Sequence, residues 1–203
     1  MPVDSEIEAV PSVILFDLGG VLADLSAPAD AMRLEMTNAE FWKIWLSSAN
    51  VKALETGQMP VGRFLPAIAA ELGIPDARDF DRRFRQWNLR LFDGAEALLG
   101  RLHPRINLAL LSNTNEIHWQ QITTKTKVFD RFSALFLSYL TNRYKPDAST
   151  FEFVIGELAL NPAEILFLDD SLANVTAARS AGINAFQVQG FAQVHNVLEH
   201  FGF

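Results

Sequence analysis

The sequence of 203 residues contains no cysteine. This absence excludes disulfide bonds, thiolate zinc sites and cysteine nucleophiles. No apolar run approaches the roughly 20 residues that a transmembrane helix needs. The first residues, 1–11, are acidic and lack the basic region and apolar core of a signal peptide. We therefore expect a cytoplasmic protein without a membrane-spanning segment, in which residues 1–11 form a flexible tail.

Basic residues are too few to balance the acidic ones. The chain has 17 Lys and Arg against 24 Asp and Glu, which gives a formal net charge of −7. This deficit argues against nucleic acid as a partner. An anionic small molecule remains compatible, because a bound cation and a lysine can reverse the sign of the potential locally. The length allows one α/β domain, or a core with a small inserted domain.

The stretch around which the chain is organised covers residues 13–22 and reads Val-Ile-Leu-Phe-Asp-Leu-Gly-Gly-Val-Leu. Its continuous apolar start predicts a strand buried on both faces. Asp17 then lies at the carboxyl end of the strand, where ligands bind in open parallel sheets. The glycines allow a sharp turn and a close approach to the backbone. Taken alone, the stretch is equally typical of a buried strand whose Asp caps a following helix.

The segment 24–92 differs from the rest, because its apolar and aromatic residues recur at spacings of three and four. This periodicity predicts a helical insertion, which glycine and proline divide into about four helices. Its tryptophans and phenylalanines are most simply a core of its own, with a few facing a substrate pocket.

Strands and helices alternate from residue 93 onward. The predicted strands are 107–111, 134–138, 165–168 and 184–188. The predicted helices are 95–102, 117–128, 149–158, 172–181 and 194–199. Such alternation predicts an α/β fold with a Rossmann-like parallel sheet flanked by helices. We assign residues 12–23 and 93–203 to this core domain and residues 24–92 to an inserted helical cap.

Polar residues follow three of the predicted strands directly, and a lysine precedes a predicted helix. They are Asp17, Ser112, Asn113, Asp169, Asp170 and Lys145. If the strands are neighbours, these side chains share one crevice. Carboxylates suit Mg²⁺, and a lysine and a hydroxyl suit phosphate. A carboxylate that attacked phosphorus would form an aspartyl-phosphate for water to cleave.

These residues lie in four motifs that resemble those of the haloacid dehalogenase (HAD)-like hydrolase superfamily. The motifs are Phe-Asp-Leu-Gly-Gly-Val at 16–21, Leu-Ser-Asn-Thr-Asn at 111–115, Lys-Pro-Asp at 145–147 and Phe-Leu-Asp-Asp-Ser-Leu-Ala-Asn-Val at 167–175. Each motif alone is weak, but the order and spacing of all four are specific. An insertion just after the first motif resembles subfamily IA with a helical C1-type cap. Glu55-Thr56-Gly57 resembles a turn of the sugar-phosphatase and epoxide-hydrolase N-terminal branch.

The resemblance implies a role for each matched residue. The implied catalytic residues are Asp17, as nucleophile, and Lys145. The implied phosphate-binding residues are Ser112, Asn113 and Lys145. The implied Mg²⁺ ligands are Asp17, Gly19 through its carbonyl, Asp170 and, directly or through water, Asp169. Asn174 would orient the loop, although a helix-surface Asn fits its position equally well.

One position departs from the superfamily pattern. Most of its phosphatases carry a second aspartate two residues after the nucleophile, which protonates the leaving group and activates water. Gly19 stands there instead. General acid–base catalysis contributes about 10²–10⁴ in rate, so we expect slow turnover or a preference for good leaving groups. Asp24 could act through water, although a structural cap is the simpler interpretation.

Three functions stay open on these residues. The first is a Mg²⁺-dependent phosphatase for a small phosphorylated metabolite, acting as a monomer or homodimer through an aspartyl-phosphate. The second is a metal-independent dehalogenase-type hydrolase, against which the paired Asp169 and Asp170 argue. The third is a non-catalytic protein that binds a phosphorylated ligand, against which the retention of the other site groups argues.

Two other sets of charged or titratable residues point to no site. The four histidines lack ligand spacing and are interpreted as surface or capping residues: His103, His118, His195 and His200. A short basic cluster is interpreted as a solvated helix face: Arg82, Arg83 and Arg85.

Overall fold

A computed structural model describes residues 11–25, 27–87 and 89–203. The predicted flexible tail lies outside the described residues apart from its last residue, Pro11. Among the described helices, none combines the length and the apolar character needed to cross a bilayer.

Seven strands form two sheets within the described residues. They are β1 (Val13–Phe16), β2 (Ala23–Asp24), β3 (Arg90–Leu91), β4 (Asn107–Ser112), β5 (Ala134–Leu137), β6 (Ile165–Asp169) and β7 (Asn184–Gln187). The larger sheet has the order β5-β4-β1-β6-β7, and all its neighbouring strands are parallel. β1 is central and fully buried, because its four apolar residues contact hydrophobic layers on both faces. The predicted α/β fold and its five parallel strands are confirmed.

Eleven α-helices accompany the strands in the described residues. They are α1 (Pro28–Ala31), α2 (Asn38–Ser47), α3 (Ala49–Glu55), α4 (Val61–Glu71), α5 (Ala77–Gln86), α6 (Ala95–Leu102), α7 (Glu116–Thr123), α8 (Ser138–Thr141), α9 (Ala148–Leu158), α10 (Leu172–Ser180) and α11 (Phe191–His200). Two short 3₁₀ helices cover Val128–Arg131 and Pro162–Glu164. The first five helices lie in the predicted insertion, one more than expected, because Pro28 starts a single extra turn.

Several element boundaries differ from the sequence prediction, among them the start of α11 at Phe191 instead of residue 194, and a hydroxyl group lies at two others. The helix predicted to reach residue 128 ends at Thr123, whose hydroxyl donates to the carbonyl oxygen of Trp119 at 2.8 Å. The strand predicted to include Ser138 ends one residue earlier. The Ser138 hydroxyl donates to Thr114 O at 3.0 Å and accepts from Thr114 N at 2.9 Å, which fixes the loop that follows β4.

The insertion has a hydrophobic core of its own. Its buried aromatic residues stack or meet edge-on with ring centroids about 5–6.5 Å apart. They are Phe41, Trp45, Phe64, Phe80, Phe84 and Trp87. The aromatic periodicity of this segment therefore reflects packing first. On the outer face of α5, Arg82, Arg83 and Arg85 pair with Asp79 or Asp81, as expected of a solvated face.

The insertion leaves and rejoins the sheet domain at one place. β2 and β3 form a small antiparallel ribbon in which Ala23 is paired with Leu91 and Asp24 with Arg90. The Asp24 carboxylate lies 3.9 Å from the Arg90 guanidinium. The two ends of the helical insertion are thus joined side by side next to the first motif.

Candidate active site

Asp17 follows β1 at the carboxyl edge of the sheet, and its amide donates to Leu168 O at 2.9 Å. The chain then turns, and Gly20 adopts a φ of +71°, which side-chain-bearing residues rarely adopt. A Cβ atom on Gly20 would collide with the Asp170 carboxylate. A glycine is therefore required where the first motif passes the fourth.

Three carboxylates form an acidic cluster at this edge. One oxygen from each of Asp17, Asp169 and Asp170 lies within 4.8 Å of the others. Asp17 is only 8% exposed, and Asp169 is fully buried. Burial raises the pKa of Asp17 to about 7, with the Lys145 ammonium opposing this rise and the neighbouring carboxylates adding to it. Such like charges need a nearby cation to stay ionised together.

Lys145 supplies one positive charge to the acidic cluster. Its Nζ lies 2.9 Å from Asp17 Oδ1 and 2.6 Å from Asp169 Oδ2, and the residue is 2% exposed. Burial alone would lower the pKa of Lys145, but the carboxylates of Asp169 and Asp17 more than offset it and the pKa is raised. The lysine is therefore charged at neutral pH, and its ammonium lies directly against the Asp17 carboxylate.

The hydrogen bonds of Asp169 use all its acceptor positions. Besides the lysine, Ser171 N donates to Oδ1 at 2.8 Å, and Asn174 Nδ2 lies 2.9 and 3.1 Å from the two oxygens. A carboxylate offers about four lone-pair sites, so these contacts fill them. Asp169 thus holds Lys145 in place, whereas Asp17 and Asp170 are better placed to ligate a metal. Asn174 is buried beneath this loop and is not a helix-surface residue.

Ser112 ends β4 beside this cluster, and Asn113 follows it. The Asn113 side chain donates from Nδ2 to Lys145 O and accepts at Oδ1 from Lys145 N, both at 2.9 Å. Its amide therefore fixes the loop that carries the lysine. Ser112 is buried and lines the cavity above the cluster.

A cavity of about 860 Å³ lies between the edge of the sheet and the helical insertion. One side carries the residues predicted as the site, including Gly19 and Asp170. The other side is mainly aromatic and apolar, and comprises Leu25, Trp42, Trp45, Leu46, Trp87, Leu89 and Phe92. The structure thus brings all the sequence-predicted site residues to one cavity or, for Asp169, directly beneath it.

The donor set of this cavity fits a Mg²⁺ ion. Hard carboxylate oxygens at one point, partly open to the cavity, are the ligands that Mg²⁺ takes while keeping several waters.

The space beside position 19 is filled by an apolar side chain. A Cβ atom on Gly19 would collide with Leu25 Cδ1, so Leu25 lies where a longer side chain at position 19 would point. The sequence shows the glycine but gives no sign of the leucine that replaces its missing side chain.

Two cavity residues were missed or misinterpreted from the sequence. Glu55 is buried, and the sequence marks it only through its turn motif. The interpretation of His118 as a surface or capping residue is wrong. Its ring lies 4.7 and 4.9 Å from the Phe84 and Trp87 ring centroids, and Asn115 Nδ2 donates to its Nδ1 at 3.1 Å. Burial lowers the pKa of His118 to about 3.

Comparison with known proteins adds three relatives and a family. A family model described as haloacid dehalogenase-like hydrolase matches residues 11–182. The chain is 26% identical to sesquiterpene phosphatase astK of Aspergillus oryzae, with 83% of this chain and 85% of that protein covered. It is 25% identical to D-ribitol-5-phosphate phosphatase of Bacteroides thetaiotaomicron, with 88% and 92% covered. The structure is similar to the crystal structure of a HAD family enzyme from Bacteroides thetaiotaomicron in complex with magnesium and inorganic phosphate. The TM-score is 0.72 at 26% identity, and the match covers 87% of this chain and 93% of that chain.

Proposed function

Since this chain belongs to the haloacid dehalogenase-like hydrolase family and is a phosphoric monoester hydrolase, we propose that it hydrolyses a small phosphorylated metabolite with Mg²⁺ through an aspartyl-phosphate. The observation that carries the proposal is the position of the Lys145 ammonium between Asp17 and Asp169, with Asp170 beside them. A divalent cation would balance the charge of the three carboxylates. The cation and the Lys145 ammonium together would then attract an anionic substrate.

The relatives support the same reaction class. Two curated relatives are phosphatases, one for a sesquiterpene and one for D-ribitol 5-phosphate. A similar solved structure holds both magnesium and inorganic phosphate. Because these named substrates are chemically unlike, they support phosphate-ester hydrolysis without fixing the alcohol that is released.

The proposed chemistry starts with Asp17. One of its oxygens attacks phosphorus, the Asp17–phosphorus bond forms, and the ester P–O bond breaks. Lys145 holds the Asp17 carboxylate in place and neutralises charge on the phosphate oxygens, while Ser112 binds one of them. Mg²⁺, held by Asp17, Asp170 and the carbonyl of Gly19, would supply further charge neutralisation. Water then cleaves the aspartyl-phosphate and frees Asp17.

We propose that the insertion acts as a cap. Its aromatic wall would exclude water from the phosphate and contact the alcohol part of the substrate. In this assignment residues 24–92 form the cap and residues 12–23 and 93–203 form the core. The ribbon of β2 and β3 joins the two parts.

The test is the release of inorganic phosphate from an aryl phosphate with Mg²⁺ and with EDTA. We expect Mg²⁺-dependent release by the native protein and none by Asp17→Asn, because the variant lacks the nucleophile. The exposed Asp130 provides a matched control. Asp130→Asn makes the same change of charge at a residue that does not line the cavity. Native turnover by Asp17→Asn would contradict the proposal. Halide release from a 2-haloacid in EDTA would show the dehalogenase-type reaction instead.

A further inference from the structure

Glu55 is a buried acid that the proposed mechanism does not use. It ends α3 in the helical insertion, is 6% exposed, and lines the same cavity as Asp17. The Tyr144 hydroxyl donates to Glu55 Oε2 at 3.3 Å. No ion pair among the described residues includes Glu55. A buried acid without a cation costs free energy, so its retention calls for a reason.

The hydrogen bonds of Glu55 connect it to the proposed phosphate site. Tyr144 contacts Glu55 with its hydroxyl and directly precedes Lys145 in the chain. Lys145 is in turn fixed through its backbone by Asn113. The Glu55 carboxyl is therefore one hydrogen bond from the loop that carries the lysine. It lies on the cap side of the cavity, where the alcohol part of a phosphate ester would be.

The groups around Glu55 favour its protonated form, because no neighbouring cation is paired with it among the described residues. Burial raises the pKa of Glu55 to about 7, although the Tyr144 hydroxyl and the Trp45 indole oppose the rise. Lys52, on the same helix, pairs with Asp147 at 3.5 Å and lies over the Tyr144 ring. Burial also raises the pKa of Tyr144, so its hydroxyl stays neutral.

Other acids of the cavity are less suited to give a proton to a leaving group. Asp170 belongs to the acidic cluster, and Asp24 is paired with Arg90. The imidazole of His118 is neutral at physiological pH because burial lowers its pKa to about 3. At position 19 there is no side chain, and Leu25 fills the adjoining space.

We propose that Glu55 is the general acid and base of this site, and that it supplies from the cap the proton that position 19 cannot. This inference rests on the proposed phosphatase function. In the first step the Asp17–phosphorus bond forms and the ester P–O bond breaks. The leaving oxygen keeps the electron pair and takes the proton of the Glu55 carboxyl, which becomes a carboxylate.

The second step restores both residues. The oxygen of water bonds to phosphorus, and the Asp17–phosphorus bond breaks with its electron pair returning to Asp17. The Glu55 carboxylate takes one proton from that water, and inorganic phosphate leaves. Glu55 is protonated again and Asp17 is a carboxylate, so atoms, charges and protons balance over the cycle.

The test compares Glu55→Gln with the native protein on two phosphate esters. Single-turnover release of the alcohol isolates the first step from the later cleavage of the aspartyl-phosphate. A simple alkyl phosphate needs a proton on its leaving oxygen, whereas a nitrophenyl phosphate does not. We expect Glu55→Gln to slow alkyl release by about 10²–10⁴-fold and to leave aryl release little changed. Glu35→Gln, an exposed change in the same insertion, should alter neither.

A pH profile separates an acid from a residue that only positions the substrate. Native alkyl release should fall above about pH 7, as Glu55 loses its proton. Tyr144→Phe removes a hydrogen bond that lowers the pKa of Glu55, so the falling limb should move to higher pH. Glu55→Asp should retain part of the alkyl rate, because it keeps a carboxyl group. Tyr144→Phe and Glu55→Asp also test the proposal if Glu55→Gln does not fold, which its thermal melting would show.

Two outcomes of the Glu55→Gln experiment would contradict the proposal. Equal losses on both esters in Glu55→Gln would make Glu55 a positioning residue, and an unchanged alkyl rate would remove it from the reaction. Either result overturns the proposal while the phosphatase function stands. Absence of Mg²⁺-dependent release from both esters by the native protein would instead refute the phosphatase function, and this inference with it.

Discussion

The side-chain amide of Asn113 forms two hydrogen bonds with the backbone of Lys145, one through its nitrogen and one through its oxygen. Nδ2 donates to Lys145 O and Oδ1 accepts from Lys145 N, each at 2.9 Å. The pair links the end of β4 to the loop before α9, 32 positions later in the chain. The resemblance implied that Asn113 binds phosphate. Since its side chain is already engaged, we propose that it contributes by placing the lysine and that any phosphate contact comes from its backbone.

Asn113→Ala should therefore reduce phosphate release without removing any catalytic group. We expect a loss of about 10–100-fold, which is typical when a residue that orients an active-site group is removed. The measurement is kcat for an aryl phosphate with Mg²⁺, alongside a thermal melt to confirm folding. Asn196→Ala, an exposed change in α11, serves as control. Full activity of Asn113→Ala would show that the lysine loop is held by other contacts.

The activity of Gly19→Asp should be limited by the Leu25 side chain, which fills the space beside position 19. A Cβ atom at position 19 collides with Leu25 Cδ1, so the single variant must first displace this methyl group. We expect Gly19→Asp with Leu25→Ala to hydrolyse alkyl phosphates faster than Gly19→Asp alone, because the new acid then has room. Steady-state rates on alkyl and aryl phosphates measure the effect. Leu25→Ala alone is the control, and a gain in that variant would assign the effect to the enlarged cavity.

Mg²⁺ should stabilise the fold by neutralising the repulsion between the carboxylates of the acidic cluster. A ligand at 100 times its Kd adds about 2.7 kcal/mol to the free energy of unfolding, or roughly 5–10 °C in Tm for a chain of this size. Asp170→Asn should melt higher than the native protein in EDTA, since burial and Asp169 raise the pKa of Asp170 and disfavour its charge. It should lose most of the Mg²⁺ response. A full response in this variant would place the ion elsewhere.

The buried imidazole of His118 should make the fold sensitive to acid. Its pKa is lowered from 6.5 to about 3, so between these values the unfolded chain binds a proton that the folded chain does not. Stability then falls with decreasing pH over this window, by up to about 1.4 kcal/mol per pH unit. Urea unfolding at pH 7 and pH 5 should show a smaller difference for His118→Gln than for the native protein. The exposed His103→Gln should keep the native difference, and an equal slope in all three proteins would contradict the assignment.

The sheet and its polar edge could be predicted because their signals are local. Each central strand is a short apolar run, and a polar residue follows it directly, as in Phe16-Asp17 and Leu168-Asp169. Parallel strands present their carboxyl ends at one edge, so the convergence of these residues follows from the strand order. The second acid of the fourth motif, Asp170, is placed there for the same reason.

The contacts of the cap could not be predicted because they join positions far apart in the chain. Glu55 meets Tyr144 across 89 positions, and no periodic pattern encodes such a pair. His118 is buried because aromatic residues of the insertion, such as Trp87, dock against α7. Its own helix gave no sign of this, since Ile117 and Ile122 already account for the apolar side. Tertiary packing, which the sequence alone leaves open, decided the surroundings of both residues.

The ribbon of β2 and β3 has a consequence for how this protein can be engineered. Because Ala23 is paired with Leu91, the chain departs and returns through neighbouring backbone positions. A helical unit from a relative could be grafted between these two points without new linkers, since the junction itself already brings the cut ends together. Chimeras of this kind would exchange the chamber that receives the alcohol, and on the assignment of Glu55 they would hydrolyse alkyl phosphates only where the grafted unit also brings an acid to this cavity.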